Sequence, residues 1–181
     1  MRSHLFVALT VSLAMPGVAA AQARMPHEGA SAVGAEVGIF LPHETGMTTG
    51  PAIEGSYETY LSARDSLRLG VGWANPKQEA NDANKMRQIH IGGDLVHNWE
   101  GGAVHPFVGA GLGVYFLQPR SNGVNLGSSA TKFGGDILGG AEFFASKTFS
   151  VKGEGRYHIV TKSGDYDPSG LELTIGVKSY F

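Results

Sequence analysis

Apolar and polar residues alternate by twos through most of this chain, and that spacing constrains the fold more than any single motif. Alternate residues share one face of a strand, whereas a helical face repeats every 3.6 residues. Ser150, Lys152, Glu154, Arg156 and His158 fall on one face of a segment. Phe149, Val151, Gly153, Gly155, Tyr157 and Ile159 fall on the other. Near the end, Glu172, Thr174, Gly176, Lys178 and Tyr180 oppose Leu171, Leu173, Ile175, Val177, Ser179 and Phe181. Leu67, Leu69, Val71 and Trp73 oppose Arg68, Gly70, Gly72 and Ala74, and Ile53, Tyr57 and Leu61 oppose Glu54, Ser56, Glu58 and Tyr60. The pattern predicts eight strands, at 33–41, 51–61, 66–75, 87–99, 105–117, 132–145, 149–160 and 170–181. Residues 101–119 lack Asp, Glu, Lys and Arg, yet Gly109, Gly111 and Gly113 recur with period two, so this stretch reads as a strand and not as a membrane helix.

The connectors form two alternating sets. Ser62–Asp65, Glu100–Val104 and Ser146–Thr148 are tight, while 42–50, 76–86, 118–131 and 161–169 are longer. Tight turns at one end and longer loops at the other describe an all-β, eight-stranded, antiparallel up-and-down transmembrane barrel. Most of the segments are near the 9–11 residues that cross a bilayer at a tilt of about 45°. Tyr57, Trp73, Trp99, Tyr115, Phe116, Phe133, Phe143, Phe149 and Phe181 gather toward strand ends, as interfacial girdles require. The competing arrangement is a soluble barrel with its apolar face inward, because periodicity alone does not choose the inner face.

Residues 1–23 read as a secretory signal peptide. Arg2 is the charged start, Leu5 to Met15 the apolar run, and the alanines at 19–23 the small-residue cleavage pattern. Residues 24–32 form a short entry segment, and the barrel occupies 33–181. The absence of cysteine excludes disulfides and thiolate metal sites. A net charge of −2 gives no basic footprint for nucleic acid.

Glycine makes up 27 of the 181 residues, about twice average usage. The lumen of an eight-stranded barrel is only wide enough for side chains to fill. Gly38, Gly70, Gly72, Gly92, Gly109, Gly111, Gly113, Gly134, Gly140 and Gly176 would leave space on the inner face. Into that space would project Glu36, Glu54, Glu58, Arg68, His90, Asp94, Asp136, Glu142, Lys152, Glu154, Arg156, His158, Glu172 and Lys178. Buried charges need partners. Arg68, Lys152, Arg156 and Lys178 are therefore expected among Glu54, Glu142, Glu154 and Glu172. This network would act as a plug or, alternatively, as a narrow gated path. Gly135, Gly139, Gly153 and Gly155 would lie on the opposite, lipid face beside Tyr157, where they ease curvature or accept an acyl chain or partner.

The last strand, Thr174 to Phe181, resembles the C-terminal signal of bacterial outer-membrane β-barrels, with Thr174, Gly176 and Phe181 matching and Ser179 departing where an apolar residue is usual. Gly34–Leu41, Pro106–Phe116 and Phe133–Phe144 are similar to stretches of the small OmpA- and OmpX-like barrels, and no peptidoglycan-binding domain follows. The resemblance implies residence in the outer membrane and recognition of the C-terminal strand by the barrel-assembly machinery. The loops His43–Thr49, Lys77–Lys85, Arg120–Thr131 and Lys162–Ser169 would then face outward and carry any extracellular contact.

Chemistry is sparse. No catalytic set, cofactor or metal site is expected; His90 and His158, both lumenal with carboxylates in reach, read as hydrogen-bonded core histidines, with a metal-ligand pair as the alternative. The His-x-Ser spacing of the eight-stranded lipid A deacylases is absent, and His97 and Ser179 lie on strands across the barrel. Three functions are carried forward: a structural or surface-interaction barrel, a small gated pore or hydrophobic-molecule conduit, and a lipid-modifying membrane enzyme.

Overall fold

The computed structural model describes residues 26–99 and 103–181. The expected signal peptide lies outside the described residues. Eight long strands build the molecule: β1 (Ser31–Pro42), β2 (Gly50–Tyr60), β3 (Asp65–Ala74), β4 (Asn81–Asn98), β5 (Val104–Ser121), β6 (Ala130–Phe144), β7 (Phe149–Val160) and β8 (Gly170–Tyr180). Each pairs antiparallel with its neighbours in the chain, and β1 pairs with β8 to close the ring. That seam runs in unbroken register from Ala32↔Tyr180 to Pro42↔Gly170. Closure leaves no unpaired strand edge, which the interior of a bilayer demands.

The inner and outer faces follow the alternation. Val37, Ile53, Leu69, Val71, Ile91, Leu95, Leu112, Ile137, Ile159 and Ile175 point outward and are at least half exposed. An apolar belt this continuous is far larger than the patches soluble monomers expose, so it faces lipid. The soluble arrangement is thereby overturned. Arg68, Lys152 and Lys178, each about 1% exposed, fill the inside instead.

Two differences from the sequence reading stand out. β4 begins at Asn81 and β5 ends at Ser121, beyond the expected limits of 87 and 117. Beyond Gln88 toward Asn81, and beyond Gln118 toward Ser121, both faces of this ribbon are at least partly wet. Burial no longer imposes alternation there, although the backbone ladder continues from Lys85↔Arg120 to Asn84↔Ser121. Tyr115 is the second difference. It was grouped with the girdle, yet it is 1% exposed and points into the lumen. Its parity is that of Gly109, Gly111 and Gly113, and parity outranks nearness to a strand end.

Short ladders stitch the loop end together. Met47–Thr48 pairs with Lys77–Gln78, which pairs in turn with β4, and Val124–Asn125 folds back on β5. Asn122 and Gly123 make that last reversal at φ values of 49° and 81°. This is the left-handed backbone that Asn-Gly supplies in two-residue hairpins. The Asp167 N–H donates to Glu44 at 2.7 Å, joining the first long loop to the last.

Candidate functional site

Strand parity delivers the charged side chains to the lumen, and the cylinder then sorts them into layers. At the turn end Tyr60, Phe144 and Tyr180 pack with Ala30 and Ala32. Above them the Lys178 ammonium lies 2.9 Å from Glu58 and 3.1 Å from Glu142. Ser66 donates to Glu58, and Ser150 and Tyr180 donate to Glu142.

The middle layer has two hubs. Glu154 accepts from Arg68 at 2.6 Å, from Lys152 at 3.0 Å and from Arg156 at 3.0 Å. Arg156 reaches three further carboxylates, Glu54, Asp94 and Asp136, each at 3.1 Å. Arg68 also bonds Glu58 at 3.1 Å, and the Lys152 ammonium forms an ion pair with Glu36 at 2.6 Å. Arg68 and Lys152 lie over the Phe107 ring at 5.5 and 5.8 Å from its centroid. The planar guanidinium suits this geometry, because its donors fan out to acids on several strands at once.

Arg156 and Glu172 are register partners on β7 and β8, yet they do not pair. The guanidinium turns across the barrel to β2, β4 and β6. Among the described residues no Lys or Arg nitrogen lies within ion-pair distance of Glu172. Its carboxylate instead sits 3.5 Å from His158 Nε2. Glu172 thus leaves the basic cluster in which the sequence reading had placed it. Toward the loop end His158 Nδ1 hydrogen bonds the Tyr115 hydroxyl at 3.0 Å, and His90 Nε2 is 3.7 Å from Glu54. Phe40, Ala52 and Ala74 pack above.

The residues of the C-terminal strand fall on both faces. Thr174 donates to Glu36 at 2.8 Å inside the lumen, and Gly176 lies beside Glu36. Phe181 follows β8, is 72% exposed, and its N–H donates to the Ser31 carbonyl at 2.9 Å. On the outer surface His97 Nδ1 bonds Asp65 at 2.7 Å and its ring packs edge-on against Trp99. Among the described residues no serine hydroxyl bonds that histidine. Gly135, Gly139, Gly153 and Gly155 lie on the outer face of β6 and β7, where Gly139 opposes Gly155.

The arrangement is a hydrogen-bonded network of charged side chains, almost wholly buried at its centre. Sequence reasoning missed the lumenal Tyr115; it set His90 and His158 together in the lumen but did not identify Glu172 as the carboxylate beside them. The signal for Tyr115 was its parity; the grouping comes from strands distant in sequence, whose relative heights spacing does not give.

The sequence profile described as the outer membrane protein beta-barrel domain matches residues 6–181. No curated protein sequence gives a match. Solved structures do. Neisserial surface protein A is 21% identical, covers 85% of this chain and 100% of its own, and superposes with a TM-score of 0.71. OprG from Pseudomonas aeruginosa is 11% identical, with 87% and 98% covered and a TM-score of 0.65. Ail, the attachment invasion locus protein of Yersinia pestis, is 14% identical, with 85% and 99% covered and a TM-score of 0.59.

Proposed function

This chain belongs to the outer membrane β-barrel domain family, and from that premise we propose that it is a non-conducting surface-interaction protein. The barrel anchors it in the outer membrane, and the stitched loop end supplies its contact surface. The tight turns and the Ser31–Phe181 seam face the periplasm. The four longer connectors face outward.

The observation that carries this reading is the filled lumen. Arg156 alone engages four carboxylates on four strands, and the neighbouring Arg68 and Lys152 are almost wholly buried. A permeating ion would have to break several charge-assisted bonds in a low-dielectric interior, at several kcal/mol for each desolvated charge. The loop end, by contrast, is tied by Met47–Thr48, Lys77–Gln78 and the Glu44–Asp167 bond. Loops held this way present a defined relief to a partner. Similar folds include proteins named for the surface and for attachment, which accords with this role.

The test has two parts. The purified protein in a planar bilayer is expected to give no steady conductance, and intact cells are expected to lose loop epitopes to external protease. Persistent ohmic channels from the unmutated protein would overturn the non-conducting reading. Loops shielded from external protease would overturn the orientation.

A further inference from the structure

We propose that His90 Nε2, His158 Nε2 and a Glu172 carboxylate oxygen form a binding site for one divalent transition-metal ion of the zinc type, inside the lumen toward its loop end. The three residues come from β4, β7 and β8, and one ligand atom of each, a ring nitrogen or a carboxylate oxygen, lies within 4.8 Å of the others. All three residues are buried, at 4%, 0% and 2% exposure. Both Nε2 atoms are enclosed and have no hydrogen-bond partner. A buried polar atom is rarely left in that state without something to meet it.

The surroundings prepare the donors. When His158 Nδ1–H donates to the Tyr115 hydroxyl at 3.0 Å, Nε2 is left as a bare lone pair. That lone pair faces Glu172 at 3.5 Å. Two ligands on one tetrahedral zinc ion with bonds of 2.0–2.1 Å stand about 3.4 Å apart, so this pair is already at ligand spacing. The two imidazole rings lie with centroids 5.0 Å apart. Gly72 leaves the room that the His90 ring occupies, since a side chain there would overlap it. Glu54, whose Oε2 is 3.7 Å from His90 Nε2, stands where it can complete the coordination.

Charge points the same way. Glu36, Glu54, Glu58, Asp94, Asp136, Glu142, Glu154 and Glu172 are eight lumenal carboxylates, against four bases, Arg68, Lys152, Arg156 and Lys178. Among the described residues, Glu172 has no Lys or Arg nitrogen within ion-pair distance and meets only His158, at 3.5 Å. A dication beside it would offset part of the excess at the place where the network leaves it uncompensated. Two imidazoles and a carboxylate suit zinc, cobalt or nickel better than calcium or magnesium, which prefer oxygen donors.

The experiment uses the folded protein in detergent, refolded with Zn2+ or with chelator, desalted, and analysed for metal. About one equivalent of zinc per barrel is expected to remain. With Co2+ the protein is expected to show the intense visible bands of a four-coordinate nitrogen and oxygen site. H158Q, H90Q and E172Q are each expected to lower affinity at least tenfold while retaining the heat-dependent gel mobility of a closed barrel. Y115F, which removes the partner of Nδ1, is expected to weaken binding about tenfold. H27N/H43N/H97N is expected to bind as the unmutated chain does. Absence of stoichiometric zinc, absence of the cobalt bands, or loss of metal in the surface-histidine variant instead of the lumenal ones would overturn the proposal. The cobalt measurement needs no variant, so it decides the matter even if a histidine substitution prevents folding.

Discussion

Single residues in this lumen differ in how many partners depend on them. Arg156 faces Glu54, Asp94, Asp136 and Glu154. R156A therefore strands several carboxylates together and is expected to destabilise the barrel by about 3–5 kcal/mol, read as a lowered urea midpoint in detergent or lipid. Glu172 has no Lys or Arg partner among the described residues, so E172Q is expected to cost about 1 kcal/mol or less by the same measurement in metal-free protein. Equal losses for the two variants would contradict the pairing described above. Asp167 in the last loop offers a pH readout. Hydrogen bonds from Ser169, its side chain first and its backbone N–H second, hold the carboxyl below the ordinary 3.8. A depressed pKa contributes order that is complete above the unfolded value and lost as pH falls through the folded one. Amide exchange at Ser169, corrected for its intrinsic rate, is therefore expected to quicken below about pH 4 and to lose that dependence in D167N.

Strands transmit the sequence pattern to the fold, and here they were legible because burial acts on one face at a time. The eight segments and both sets of connectors could be read from parity and turn residues, and Lys152, Glu154 and Arg156 followed as a single lumenal row. Where neither face imposes burial, as at 81–87 and 119–121, the pattern carried no information and the strands run past the expected ends. Pairings across the barrel were illegible for another reason. Parity tells which way Arg156 points, but the stagger and tilt of the closed sheet decide that it meets Asp94 and not its register neighbour Glu172. Glycines mark the same division between faces. A methyl at Gly140 would overlap the Gly153 carbonyl and the Phe107 ring, whereas at Gly55 the nearest atom is 4.0 Å away. G140A is expected to cost about 1–3 kcal/mol, and G55A to fall within about 0.5 kcal/mol of the parent, in paired unfolding titrations. On the outer face Leu112, 76% exposed at mid-strand, reports on lipid. L112R is expected to cost about 2–4 kcal/mol in a bilayer, and a charge at loop residue Val124 about 0–1.

At the scale of the molecule, the ring has no privileged opening. The β1–β8 seam is built from the same ladder as the other contacts, and its last bonds place Ser31 and Phe181 side by side, with N···O distances of 3.0 and 2.9 Å. A short linker could therefore join these two residues and the chain be cut anew at the Ser146–Thr148 turn. Such a circular permutant would keep every strand neighbour, every lumenal ion pair and the same outer belt, and is expected to refold in detergent micelles to the parent's heat-dependent mobility. In cells it would arrive with β6 as its final strand and Phe181 in its middle. Correct folding in micelles combined with failed delivery to the outer membrane would show that this polypeptide carries two separable messages: how to close the cylinder, and where the closed cylinder belongs.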